Sequence, residues 1–231
     1  MSSDGRGAHE MNYIVRKPSR RSQAERTAAT SASLIAATIS SLHEKGYAAT
    51  STTSVATRAG VSRGAMLHHY PTKVHLMAAT VYATYASDVA AYEAIIREVG
   101  DGDDRLDRLI DTAWSCFKSP SGIAQTEVWM ATRSDPDLAA AVIPVHISIV
   151  QQSVIALRWV LRDRVTDKTM KIEHILTYLV SALRGLSMQY VLGSTDEEIV
   201  TSVNLIKSTI HAIIRTPETC LGETISEGAS I

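Results

Sequence analysis

The sequence predicts an all-α protein: an N-terminal three-helix head containing a helix-turn-helix, joined to a larger all-helical body. Three observations predict it. Residues 50–73 read as two short helices joined by a glycine turn. After residue 73, apolar residues recur at spacings of three and four. Charge is divided between the two regions: residues 1–73 carry a net +6 and the rest −7, although the whole chain is only −1.

Composition sets the limits. A chain of 231 residues with 45% hydrophobic content can bury a sizeable core. No apolar run approaches the length needed to cross a bilayer, and the polar, basic N-terminus lacks the apolar segment of a secretory signal. The two cysteines, Cys116 and Cys220, are far apart and suggest neither a metal site nor a disulfide framework. A reducing, cytoplasmic setting is expected. Neither metal-ligand spacing nor a phosphate-cradling glycine loop is present, so no cofactor, metal or catalytic residue is expected.

The expected units are a basic tail (1–20), the head (21–73), the body (74–216) and a C-terminal tail (217–231). The tail cluster Arg16, Lys17, Arg20 and Arg21 is either unstructured or lies along DNA as an arm. Ser22 and Glu25 form a capping box that starts the first helix, striped by Leu34, Ile35, Ile39 and Leu42 and ended by Gly46. Ser51 or Thr52 caps the second helix, and Gly60 permits a sharp turn. Ser62 caps the third helix, which Pro71 stops.

A short helix, a glycine turn and a second short helix make a helix-turn-helix, whose second helix enters the major groove. Met66 and Tyr70, four apart, pack inward. Arg63 is the candidate for reading bases, because a guanidinium pairs with both guanine acceptors. Gly64 allows close backbone approach, Ala65 suits a thymine methyl, and Leu67 and His68 face the groove or its walls. Thr52, Thr53, Ser62, His68, His69 and Lys73 are candidates at the interface, mainly for phosphates, which fix register. The plainer alternative is that His68 and His69 are exposed polar residues and nothing more.

The run AGVSRGAMLHHY followed by Lys73 resembles the signature of the TetR family of bacterial one-component regulators. Ala59, Gly60, Val61, Ser62, Gly64, His69 and Lys73 match its pattern, and Tyr70 stands in for its aromatic residue. Leu67 departs from it: the family usually has a phosphate-contacting tyrosine there, a role His68 is placed to assume. The resemblance covers about residues 20–80. It implies a DNA-binding head on a helical regulatory and dimerisation body.

In the body, a long helix runs from residue 72 to about 99, a rod of roughly 40 Å. A Gly-Asp loop (100–104) precedes a helix striped from Leu106 to Phe117, with SPSG at 119–122 ending it. A helix over about 123–133 follows. Asp135-Pro136 then caps one reaching about residue 164, kinked or split at Pro144. The last two helices, about 169–192 and 196–215, are apolar over wide faces. They form either intramolecular core or a two-fold four-helix bundle between subunits, the arrangement favoured here. Tyr85, Trp114, Phe117, Trp129, Met130, Arg133 and His146 are either ordinary core or the lining of a pocket for a small lipophilic effector.

The reading that follows is a cytoplasmic homodimeric regulator, a repressor released from a palindromic DNA operator by a small molecule, with no membrane partner. A DNA-binding regulator without an effector is the alternative, and an all-helical enzyme is a third.

Overall fold

The computed structural model describes residues 22–99, 104–161 and 172–215, which form nine helices and no strand. The basic tail, most of the Gly-Asp loop, residues 162–171 and the C-terminal tail with Cys220 lie outside the described residues.

Three helices make the head: α1 (Gln23–Ala49), α2 (Thr52–Ala59) and α3 (Arg63–His69). The capping box forms: Ser22 N–H donates to the Glu25 carboxylate at 2.6 Å, and Glu25 N–H donates to Ser22 Oγ at 3.1 Å. Gly46 breaks the helical run with φ of +73°, and one further turn follows before Thr50. Between α2 and α3, Gly60 takes the left-handed conformation (φ +66°, ψ 29°) that its missing Cβ makes inexpensive.

The six remaining helices are α4 (Lys73–Val99), α5 (Arg105–Phe117), α6 (Pro120–Ala131), α7 (Pro136–Leu161), α8 (Ile172–Val191) and α9 (Asp196–Arg215). Two sequence expectations need correction here. Ser119-Pro120 opens α6 instead of closing α5: Ser119 Oγ accepts from Gly122 N–H at 3.1 Å, and proline occupies the first turn, where its missing N–H costs nothing. Second, α7 continues through Pro144 and, by length and composition, is long and apolar enough to cross a membrane. The proline and the polar His146, Gln151 and Gln152 hide this length in the sequence. The two ends of α7 pack against different parts of the protein. Its first turns bury Leu138 and Val142 among head residues, and its last turns bury Leu157, Val160 and Leu161 in the body.

The core therefore does not divide at residue 73. One cluster joins Leu34, Val55 and Met66 of the head to Leu76 and Met77 of α4 and to Ala124 and Val128 of α6. The other packs α5, the end of α7, α8 and α9 around Leu106, Ile110, Leu183 and Ile210. Buried Arg105 donates to the Val160 carbonyl at 2.6 Å, and His211 and Lys207 of α9 reach Asp107 and Asp111 of α5 at 2.7 and 2.6 Å.

Candidate nucleic-acid interface and body cavity

Packing fixes the roll of α3. Met66 is fully buried, and the Tyr70 hydroxyl lies 2.6 Å from Ser31 Oγ on α1. Gly64 and His68, four apart, therefore share the opposite side, flanked by Arg63 and Leu67, and all four are exposed. A Cβ on Gly64 would meet nothing within 4 Å, so the protein's own packing makes no demand for glycine there. Ser62 Oγ caps α3 by accepting from Ala65 N–H at 3.2 Å, with Ala65 half-buried behind it. On α2, Thr53 is exposed and Thr52 half-buried. Arg58, the other cation of this region, is paired with Glu44 of α1.

Lys73 is placed differently from its neighbours. The ammonium assigned to a phosphate from sequence donates to the Tyr47 carbonyl at 2.6 Å and sits 3.8 Å from the centre of the Tyr47 ring. Burial lowers its pKa, against the opposing pull of Asp135. His69 is half-buried, its ring 6.0 Å from that of His68 and 6.2 Å from that of Tyr70.

Tyr47 is the hub of this corner, and sequence reasoning passed over it. Its hydroxyl donates to Asp135 at 2.7 Å and its N–H to Glu127 of α6 at 3.1 Å. Burial first, then the Asp135 hydrogen bond, pushes the phenol up. Asp135 is held below the usual carboxylate range by the Leu138 N–H it caps at 2.9 Å, then by Tyr47. The beginnings of α4 and α7, the end of α1 and the middle of α6 thus meet at one polar cluster.

A cavity of about 210 Å³ opens between α4, α5, α6, α7 and α8. Tyr85, Phe117, Trp129 and His146 line it. Three expected residues do not: Trp114 is buried in the body core, edge-on to Tyr190, while Met130 and Arg133 face solvent. Aromatic and Met character with a few polar groups put the seven together, and composition does not say which side of a helix turns outward. Asp88, Gln125 and Arg184 complete the lining. For Asp88 and Arg184 the signal in the sequence was a lone charged residue inside a largely apolar stretch, while Gln125, beside Thr126 and Glu127, carried none.

The cavity perturbs its titratable groups. Burial, then the charge of Asp88 and a hydrogen bond to it, pushes the Cys116 thiol up to about 12. Burial raises Asp88, partly offset by that bond. His146 is lowered by burial and then by Arg184, and Arg184 by burial. A second cavity of about 300 Å³ adjoins, sharing Tyr85, Tyr92, Phe117 and Val180. Among the described residues no group of three or more His, Cys, Asp or Glu is placed to hold a metal ion.

A capped pair of short helices with the second presented outward, on an all-helical body, defines the class: a helix-turn-helix regulator. Residues 34–80 match the model of the bacterial regulatory proteins of the tetR family. The chain is 31% identical over 179 residues to the HTH-type transcriptional regulator CymR of Pseudomonas putida, covering 74% of this chain and 84% of that one. Two solved structures share the fold. A transcriptional regulator from Rhodococcus sp. Rha1 has a TM-score of 0.63 at 22% identity, covering 78% of this chain and 95% of that one. A TetR regulator from Haloarcula marismortui has a TM-score of 0.66 at 20% identity, covering 80% and 98%. The chain belongs to the TetR family: it is a transcriptional regulator, not an enzyme.

Proposed function

We propose that the protein is a cytoplasmic, homodimeric repressor that holds a palindromic operator until a small molecule fills the body cavity. The observation that carries the DNA reading is the roll of α3, with Met66 buried and Arg63, Gly64, Leu67 and His68 outward. Arg63 reads a guanine, Gly64 and Ala65 let the helix lie deep, and Ser62, Thr52, Thr53, His68 and His69 set the phosphate register. Lys73 acts from behind, by holding the α1–α4 corner.

Exposed Tyr178, Met188, Tyr190, Val200 and Leu205 on α8 and α9 support pairing through these helices. The cavity supports an effector because its wall is shared with the head: α6 lends Gln125 and Trp129 to the cavity and Glu127 to Tyr47. Occupancy shifts the heads only by as much as the ligand prefers one arrangement over the other.

Footprinting on DNA upstream of its own coding sequence tests the reading. Arg63→Ala should weaken operator binding by about 1–3 kcal/mol and relax preference at one base pair. No footprint, or an unchanged preference in the Arg63 variant, removes it.

A further inference from the structure

The cavity lining holds two chemically unlike groups. In one, the Arg184 guanidinium from α8 stands 5.9 Å from the centre of the Phe117 ring. The Trp129 ring lies edge-on to His146 at 4.9 Å, and His146 in turn feels the charge of Arg184. Both Arg184 Nε and Trp129 Nε1 are buried without a hydrogen-bond partner. In the other, Asp88 faces the thiol of Cys116, next to Tyr92. Among the described residues Asp88 bonds to Cys116 and forms no ion pair with Arg184.

Two buried donors left unpaired, one on a cation, carry a penalty that an acceptor-bearing ligand would remove. The planar fork of arginine matches a carboxylate better than it matches a single neutral oxygen. The remaining wall is mostly rings and aliphatic side chains, including Tyr85, Phe117 and Val180. A cavity of about 150 Å³ suffices for benzene. The 210 Å³ here, with 300 Å³ adjoining, admits a ring with a short chain.

Resting on the reading of this cavity as the effector site, we propose that it takes a small arylalkyl monocarboxylate, the carboxylate held by Arg184 and the Trp129 indole N–H and the ring lying along Phe117 and Tyr85. Asp88, also in the lining, disfavours a second anionic group, so a dicarboxylate of the same girth is rejected.

Calorimetric titration of the full-length protein with 3-phenylpropanoate, its neutral amide 3-phenylpropanamide and the dianion 1,4-phenylenediacetate tests this. The acid should bind at least about tenfold more tightly than either competitor, the margin expected of a charge-assisted hydrogen bond. Arg184→Gln should erase the preference of acid over amide, weakening the acid far more than the amide. Trp129→Phe should lower the preference in part. If thermal melting shows Arg184→Gln unfolded, Arg184→Lys carries the same comparison: it keeps the charge, loses the fork and reduces the preference without erasing it. Equal or tighter binding of the amide to the wild-type protein overturns the proposal and leaves the cavity as an effector site for a neutral molecule. An unchanged acid-to-amide ratio in a folded Arg184 variant overturns it too. If neither acid nor amide binds, the proposal fails together with the effector reading on which it rests.

Discussion

Cys116 has its reactivity set by what surrounds it. Its thiol is half-buried against Asp88, and ionisation would place a second negative charge beside a carboxylate already short of water. With the thiol pushed up to about 12, about one molecule in ten thousand is thiolate at pH 8, against about one in ten for an unperturbed thiol. In a Cys220→Ser background, iodoacetamide should modify Cys116 at least about tenfold more slowly in the native protein than in urea, since the loss of thiolate outweighs its higher nucleophilicity. A native rate close to the unfolded one would mean the thiol and Asp88 are not neighbours. Gly122, in the first turn of α6, makes a second residue-scale case. Helix propensity alone predicts that Gly→Ala stabilises a helix by up to about 1 kcal/mol. Here a Cβ would lie 2.3 Å from the Cys116 carbonyl oxygen and 2.6 Å from that of Phe117, both backbone atoms that cannot move aside cheaply. Contact should outweigh propensity: Gly122→Ala is expected to destabilise by about 1–3 kcal/mol, read as a lower Tm by calorimetry.

At the scale of elements, most helix starts were legible because their caps are local. Ser22 with Glu25, Ser51, Ser62 and Thr195 with Glu198 all cap as their spacing implies. The roll of α3 was also legible, since Met66 and Tyr70 are four apart. What could not be read was contact between distant segments. Arg184 belongs to a helix whose stripe suggested intramolecular core or dimerisation, yet it turns into the cavity, and Tyr47 gains its meaning from Glu127 and Asp135, 80 and 88 residues away. Lys73 shows the consequence, because a cation at that spacing looks like a phosphate contact until Tyr47 is placed beside it. The two roles predict different results for Lys73→Met. Loss of a phosphate contact would flatten the salt dependence of DNA binding by about one unit and leave folding alone. Loss of the Tyr47 contacts should lower stability by about 1 kcal/mol and leave the salt slope nearly unchanged. The second outcome is expected, measured by urea unfolding beside operator titrations at several salt concentrations.

For the molecule as a whole, the division of charge between a basic head and an acidic body was visible in the sequence, while the continuity of the core across residue 73 was not. Periodicity reports that a helix has a buried side and not which neighbour buries it. The same limit applies to the apolar faces of α8 and α9. Their inward sides carry Ile175, Leu179, Leu183, Val203, Ile206 and Ile210, all buried within the chain. Their outward sides still expose Met188, Val191, Val200 and Leu205. A lone soluble chain seldom exposes apolar patches larger than a few hundred Å², and a stable pair needs about 1,200–2,000 Å² in total. Leu205, 65% exposed near the middle of α9, is therefore the position to charge. Leu205→Glu should leave the helical content and Tm nearly intact, since the side chain leaves no hole in the core. If the proposed pairing through α8 and α9 holds, it should convert dimers to monomers in sedimentation, with operator affinity falling because a palindromic operator would then be met by one head at a time. If the variant remains dimeric, the pairing surface lies elsewhere, with the exposed Ile143, Ile147 and Ile155 of α7 the next to be charged.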